Sequence, residues 1–433
     1  MQKTVAFHTL GCKVNQYETE SMKELFESKG YQVVSDQEKA DIYVINTCTV
    51  TKLSDRKSRQ FIRRAKRMNP QAKVAAVGCY VQVAEDEVAA IEGIDLLLGT
   101  GHKQEIVQEL ESLVEGEQRA VVTDVMKPHA YEGMTIETLD EKTRAFVKIQ
   151  DGCNQFCAYC IIPYARGAIR SRNSQDVLEE LKRLIASGYE EIVLTGIHLA
   201  SYGLDLKEKD ALIRLIEEAD QLPGLRRLRL GSLEPKWVTE DVARRLGVLK
   251  TITPHFHLSL QSGSDTVLKR MNRRYTTAEF QAAVEVLREN FDQPRFTTDI
   301  IVGFPGETEA EFLETVSYVK RIGFADVHVF PFSPREGTPA ADFEGQLDGN
   351  VKSERAKRLA ETVRALRESV FQSYCGQTFE VLLEKQWMPD GSRLGHAADY
   401  APVAVSDTNP EDRWVRVRIE RTDGIRLYGS VDS

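Results

Sequence analysis

Short apolar runs alternate with helix-length amphipathic stretches along the first hundred or so residues. Val5 to Leu10, Asp41 to Asn46, Lys73 to Val77 and Asp95 to Leu98 read as strands. Gln16 to Lys29, Ser54 to Met68, Val81 to Ile91 and Gln104 to Val114 read as helices, the first closed by Gly30. Strands alternating with helices predict a parallel sheet with crossover helices, an open flavodoxin-like or Rossmann-like α/β domain over residues 1–117. Residues 118–142 read as a connector, with a short strand from Ala120 to Val125 and then Pro128, Gly133 and several acids. A second series starts at Arg144 to Ile149 and continues through Glu191 to Leu194, Arg227 to Leu230, His255 to Leu260, Arg295 to Val302 and Asp326 to Phe330. Six strand-helix units within 143–372 predict a partial (β/α)6 barrel whose chemistry sits at its carboxyl-terminal mouth. A basic helix near Lys352 to Tyr374 then gives way to β runs at Thr378 to Glu384, Val403 to Val405, Trp414 to Glu420 and Ile425 to Tyr428. Those runs predict a small OB-like β-barrel over 373–433.

Composition narrows the class without changing that outline. The 433 residues are 42% hydrophobic and 28% charged, ordinary for a globular protein of about three domains. No apolar run is long enough for a membrane span, and the N-terminus has no signal-peptide pattern. Seven cysteines, an odd number, favour ligands in a reducing compartment over disulfides, so a cytoplasmic location is expected. A net charge of -9 means that contact with nucleic acid must come from local basic patches. Ser54 to Met68 offers one, with Arg56, Lys57, Arg59, Arg63, Arg64 and Arg67 and only Asp55 as an acid. It reads either as a solvated helix face or as an RNA phosphate contact.

The cysteines carry the chemistry. Cys153, Cys157 and Cys160 follow directly on the first strand of the second series, and this Cys-x3-Cys-x2-Cys spacing lets one loop turn its sulfurs to a common centre. Thiolates are soft ligands for iron-sulfur clusters, zinc or Cu(I). A structural zinc site wants a fourth protein ligand, and none lies nearby in sequence. A ferredoxin-type carrier would show a different spacing. Cys12, Cys48 and Cys79 each fall just past a predicted strand of the first sheet, the edge at which open α/β sheets build sites. They read as a second three-thiol centre or as three small buried hydrophobes. Cys375 belongs to neither set.

The Cys153 loop resembles the signature of the radical S-adenosylmethionine (SAM) enzymes. The resemblance implies a 4Fe-4S cluster with one open iron that binds SAM, and Tyr159 near the adenine. It further implies SAM contacts from Gly196 after the second barrel strand, Ser232 and Glu234 after the third, and Gln261 after the fourth. Gly303 and Gly306 stand in Ile301 to Glu307, which resembles the Gly-x-Ile-x-Gly-x-x-Glu element flanking the adenine. The C-terminal β segment resembles a TRAM domain, a module associated with RNA binding. Together the three parts resemble the methylthiotransferases over essentially the whole chain. In that family the SAM-derived radical abstracts hydrogen from a C-H bond, a second 4Fe-4S cluster supplies sulfur, and a second SAM supplies the methyl group. External electron and sulfur donors are implied as partners. Gly11-Cys12-Lys13-Val14-Asn15-Gln16-Tyr17-Glu18 looks like the branch acting on threonylcarbamoyladenosine beside the tRNA anticodon. The alternatives are isopentenyladenosine tRNA or a ribosomal protein as substrate and, more distantly, a radical SAM enzyme with an auxiliary electron-relay cluster.

Overall fold

The computed structural model describes residues 2–127, 129–136 and 143–432. Pro128 and residues 137–142 of the expected connector lie outside the described residues. The first sheet contains β1 (Thr4–Thr9), β2 (Gln32–Val34), β3 (Ile42–Thr47), β4 (Lys73–Gly78), β5 (Leu96–Leu98) and β6 (Arg119–Val121). All pair in parallel in the order β2-β1-β3-β4-β5-β6. The order reverses at β1, which opens a crevice beyond the carboxyl ends of β1 and β3. Every residue of β3 is buried, as befits a central parallel strand covered on both faces.

Three local expectations are corrected. Strand β6 pairs with β5, so the first sheet extends past residue 117 and takes in the start of the expected connector strand. The helix expected over Val81 to Ile91 is two short helices, Cys79–Val83 and Glu85–Ala89, broken where Ala84 leaves helical geometry at φ -142° and ψ 48°. The helix expected near Gln104 to Val114 is shorter, Ile106–Ser112, entered through a tighter turn at Lys103–Glu105.

The second unit contains β7 (Ala145–Asp151), β8 (Arg170–Ser171), β9 (Glu191–Gly196), β10 (Arg227–Leu230), β11 (His255–His257), β12 (Arg295–Val302) and β13 (Asp326–Pro331). Hydrogen bonding divides it into β10-β9-β7-β8 and β11-β12-β13. Isolated parallel bridges, Leu228 to Ile252 and Leu233 to Leu258, stitch the two halves into an open barrel. Strand β8 pairs antiparallel on the outer edge of β7. Alternation along β12 buries Phe296, Thr298, Ile300 and Val302 and leaves Arg295, Thr297, Asp299 and Ile301 on the inner face. That inner face is polar: His257 Nδ1 lies 3.0 Å from Thr297 Oγ1, and His255 Nε2 lies 3.2 Å from the same hydroxyl.

The long helix Gly349–Gln372 packs on β13, and the 2.6 Å pair between Arg355 and Glu307 locks it to the barrel. The chain ends in a closed barrel of β14 (Thr378–Trp387), β15 (Arg393–His396), β16 (Pro402–Ser406), β17 (Trp414–Thr422) and β18 (Leu427–Val431), ordered β14-β15-β16-β18-β17. Its core contains Val381, Leu383, Val403, Val405 and Val417. Arg227 and Arg229 of β10 reach out to it, Arg227 donating to Glu380 O at 2.6 Å and Arg229 to Ala398 O at 2.8 Å. Among the described residues no helix is long and apolar enough to cross a membrane.

Candidate active site: two three-cysteine centres

The register of the first sheet ends its central strands level, with Thr9 opposite Asn46 and Thr47 opposite Gly78. Cys12 then caps the helix Lys13–Ser28, Cys48 follows β3, and Cys79 opens the helix after β4. Two glycines with positive φ make these turns, Gly11 at 104° and Gly78 at 98°. A Cβ on Gly11 would stand 2.9 Å from the Cys48 sulfur, so glycine at that position lets the first two thiol loops close on each other. Asn15 clamps them, its Nδ2 donating to Leu10 O at 2.7 Å and to Thr47 O at 3.0 Å. Cys12 is exposed, whereas Cys48 and Cys79 are buried. Burial pushes the Cys79 thiol up to about 11 and raises Cys48 as well. Without metal these buried sulfurs stay protonated, and a coordinated metal turns them into thiolates.

At the second centre Gly152, at φ 71°, turns the chain out of β7, and a Cβ there would meet Ala168 O at 1.9 Å. Cys153 N then donates to Gly167 O, Cys160 N to Cys157 O and Ala158 N to Met271 O, which gives the loop one compact path. Arg273 Nη1 donates to Cys157 Sγ at 3.2 Å, and its Nη2 reaches Glu234 at 3.4 Å. Glu234 meets His198 Nε2 at 2.7 Å, and His198 N donates to Gln150 Oε1 at 2.8 Å. Gln150 Nε2 in turn holds Gly152 O at 2.7 Å, closing a polar belt around the loop. Burial raises Cys153 to about 11 and Cys160 to about 12. Among the described residues no three His, Cys, Asp or Glu groups close around one metal ion. Three thiolates are one ligand short of a structural zinc site and match a cluster whose thiolates attach to different irons. Both donor sets, all sulfur and three each, fit a cubane with one iron left open.

A buried charge network lies between the centres. Arg166 and Glu18 are each 0% exposed and meet at 2.7 Å. The same guanidinium reaches both Asp151 oxygens at 3.1 Å and donates to Asn15 Oδ1 at 2.7 Å. Lys148 bridges Glu18 at 2.7 Å and Asp151 at 2.6 Å, and Lys103 stands 3.4 Å from Glu18. Burial alone would raise Glu18, but Arg166, Lys103 and Lys148 more than offset it and hold the carboxyl well below its usual range. Asp151 is depressed in the same way, burial being outweighed by Arg166 and Lys148. Asn15 clamps the first centre and Asp151 leads into the second, so the network ties their positions together.

Of the residues expected to touch SAM, Glu234 joins the belt and Gly196 abuts it, with room for no more than hydrogen because a Cβ would lie 2.9 Å from Gln150 Oε1. Ser232 is exposed just past β10. Gln261, at φ 69°, exchanges backbone hydrogen bonds with Asp299 and Ile301. Tyr159 packs against an apolar layer containing Met271, Phe304 and Phe332. Gly303 and Gly306 shape a turn, Gly303 N donating to Glu307 Oε2 at 2.7 Å and Gly306 N to Gly345 O at 2.8 Å. That turn contributes Phe304 to the apolar layer against which Tyr159 packs. On the basic helix, Lys52–Met68, the six candidates divide. Arg59 is engaged by Tyr80 and Glu87, and Arg64 by Gln37. Arg56, Lys57, Arg63 and Arg67 are exposed without an ion pair among the described residues. Cys375 packs against the C-terminal barrel core, apart from both centres.

Glu18, Lys103, Lys148, Arg166, His198 and Arg273 were missed by sequence reasoning. Glu18 did leave a sign, a charged residue on the buried stripe of Val14 and Met22.

Three thiols on a loop after the first strand of an open β/α barrel define a radical SAM protein. The Radical SAM superfamily profile matches residues 147–319, and that of "Uncharacterized protein family UPF0004" matches residues 4–99. The fold is similar to that of the radical SAM methyltransferase TsrM from Kitasatospora setae, with a TM-score of 0.58 at 16% identity over 79% of this chain and 77% of that one. The threonylcarbamoyladenosine tRNA methylthiotransferase MtaB of Bacillus subtilis is 42% identical over 94% of this chain and 91% of its own length. The tRNA-2-methylthio-N(6)-dimethylallyladenosine synthase of Moorella thermoacetica is 35% identical over 99% of this chain and 98% of its own. The chain belongs to the radical SAM methylthiotransferase family, which uses SAM and 4Fe-4S clusters.

Proposed function

We propose that this protein is a tRNA methylthiotransferase that converts N6-threonylcarbamoyladenosine at position 37, beside the anticodon, to its 2-methylthio derivative. The observation that carries the reading is the pair of three-thiol centres at the carboxyl ends of two abutting sheets, joined by the Arg166 network. The activity named for the Bacillus subtilis relative supports the substrate.

In this reading Cys153, Cys157 and Cys160 hold the cluster that binds SAM, and Cys12, Cys48 and Cys79 hold the second. When bound, these groups supply one-electron cleavage of SAM, the sulfur to be inserted and, through a second SAM, the methyl group. The protein's own residues position and insulate. Arg273 holds the Cys157 sulfur through its 3.2 Å hydrogen bond, a contact from a charged donor. Gln150, His198 and Glu234 hold the loop and offer polar atoms to SAM at the mouth, where Ser232 is exposed. Tyr159 and Phe304 back the site from the apolar layer. Arg56, Lys57, Arg63 and Arg67 face solvent and provide phosphate contacts for the tRNA. External electron and sulfur donors complete the reaction, in the cytoplasm.

The isopentenyl substrate named for the Moorella thermoacetica relative is the second reading. The polar inner face of the barrel, with His255, His257, Thr297 and Asp299, favours a polar substituent over an apolar one. Mass spectrometry of tRNA nucleosides from cells lacking this protein tests the proposal. Loss of 2-methylthio-threonylcarbamoyladenosine with accumulation of its precursor supports it, and an unchanged nucleoside profile refutes it.

A further inference from the structure

Beside the first centre stands a cation without a counter-ion among the described residues. Lys13 follows Cys12 directly and opens the helix Lys13–Ser28, which has no acid in its first turn. A cation there adds to the positive end of the helix dipole, so helix stability gives no reason for it. The side chain reaches over the inner face of the barrel instead, its Nζ 5.7 Å from the centroid of the Phe146 ring. The residue is exposed to solvent. The positive charges of Arg229 and Arg144 act on its ammonium, and its own charge is felt at His255.

The neighbouring acids are already engaged. Glu191 is shared by Arg144, Arg227 and Arg229 at 2.7, 3.5 and 2.8 Å. Glu384 meets Arg144 at 2.8 Å, and Glu380 meets Arg227 at 3.4 Å. With Arg226 also on Glu380 at 2.5 Å, four arginines share these three acids, and Lys13 is a further cation with no acidic partner among the described residues. Asp299, further along β12, faces His257 at 3.3 Å. Tyr400 stacks on His255 with centroids 5.7 Å apart and lies 4.6 Å from Arg229.

We propose that Lys13, over Phe146 on the inner face of the barrel, is the receptor for a carboxylate, that of the threonylcarbamoyl group of the substrate nucleoside. This rests on the function proposed above and names what selects the substrate. SAM also carries a carboxylate, but its place is at the Cys153 loop. Phe146 lies five residues back along β7 from Asp151, roughly 16 Å at about 3.3 Å per residue. The threonylcarbamoyl group hangs from N6 of the adenine, away from the C2-H that reacts. Its carboxylate can therefore extend toward Lys13 while C2 stays at the mouth.

The test uses reconstituted full-length enzyme and synthetic anticodon stem-loop RNAs bearing threonylcarbamoyladenosine, its methyl ester or isopentenyladenosine. Wild type should lose about 10- to 100-fold in kcat/KM on the ester, the size of one charge-assisted hydrogen bond. Lys13→Met should lose a similar factor on the free acid and treat acid and ester alike, while Lys13→Arg keeps the preference. SAM affinity and RNA-independent SAM cleavage should match wild type in both variants, which also shows that they fold. A Lys13→Met enzyme that still prefers the acid overturns the assignment. Weakened SAM binding instead gives the carboxylate to SAM and overturns it too. If wild type acts on the isopentenyl RNA and not on the threonylcarbamoyl RNA, the proposed function fails as well, a different result from failure at Lys13 alone.

Discussion

Replacing Arg166 by methionine removes the guanidinium from the network while keeping much of its volume. Arg166 is fully buried and makes hydrogen bonds to Glu18, Asp151 and Asn15. Without it Glu18 retains Lys148 and Lys103, and Asp151 retains chiefly Lys148. Breaking one partner out of a buried ion network costs about 3 to 5 kcal/mol, because the remaining charges have already left water. With a urea slope of about 2 to 3 kcal/mol per M, the unfolding midpoint of the metal-free protein should fall by about 1 to 2 M. The pH dependence adds a second signature. The Glu18 and Asp151 pKa values are depressed in the folded state, so their contribution is present above the unfolded carboxylate range near 4 and is lost as pH falls through the folded values. The gap between wild type and Arg166→Met should be full at pH 7 and shrink below about pH 4. Circular dichroism during urea titrations at several pH values reads both effects. An unchanged midpoint at pH 7, or a gap that widens in acid, would refute the network as described.

Other outcomes follow from the same geometry. Cys157→Ala should abolish reductive cleavage of SAM to 5′-deoxyadenosine. Cys48→Ala should keep that cleavage and stop methylthiolation, and normal product from it would remove the sulfur role of the first centre. Anaerobic reconstitution should load about eight irons per chain, two four-iron clusters. Cys375→Ala should leave that count unchanged, since Cys375 packs against the C-terminal barrel core. Charge reversal at Arg63 and Arg67 should weaken tRNA binding and flatten its salt dependence by about 0.7 to 0.9 in log-log slope for each lost contact. Reversal at Arg59 should instead act through its ties to Tyr80 and Glu87, and an unchanged slope in the Arg63/Arg67 variant would return the helix to a merely solvated face.

The strands that place the centres were legible because each is an apolar run of ordinary length ending at a turn: β1, β3 and β4 end within a residue or so of where the pattern predicts. What stayed hidden was short or polar. Strand β2 has three residues at an edge, with Gln32 exposed, and β15 reads Arg-Leu-Gly-His, too polar to announce a barrel strand. The break at Ala84 has neither proline nor glycine to mark it. Both cysteine sets could be read from spacing and strand ends, because ligands of this kind follow local chain geometry. Arg166 and Glu18 are 148 residues apart, and Arg273 and Cys157 are 116 apart, so no local pattern could pair them. The basic helix shows the converse: composition marked six candidates alike, and only packing separates Arg59 and Arg64 from the others.

The most direct test offers anaerobically reconstituted enzyme, in parallel, threonylcarbamoyladenosine tRNA, isopentenyladenosine tRNA and the ribosomal protein, with products read by mass spectrometry. Methylthiolation at C2 of the threonylcarbamoyl nucleoside, dependent on both cysteine sets, is the predicted result. Modification of either other substrate in its place, or product formation with only one set intact, would contradict the account.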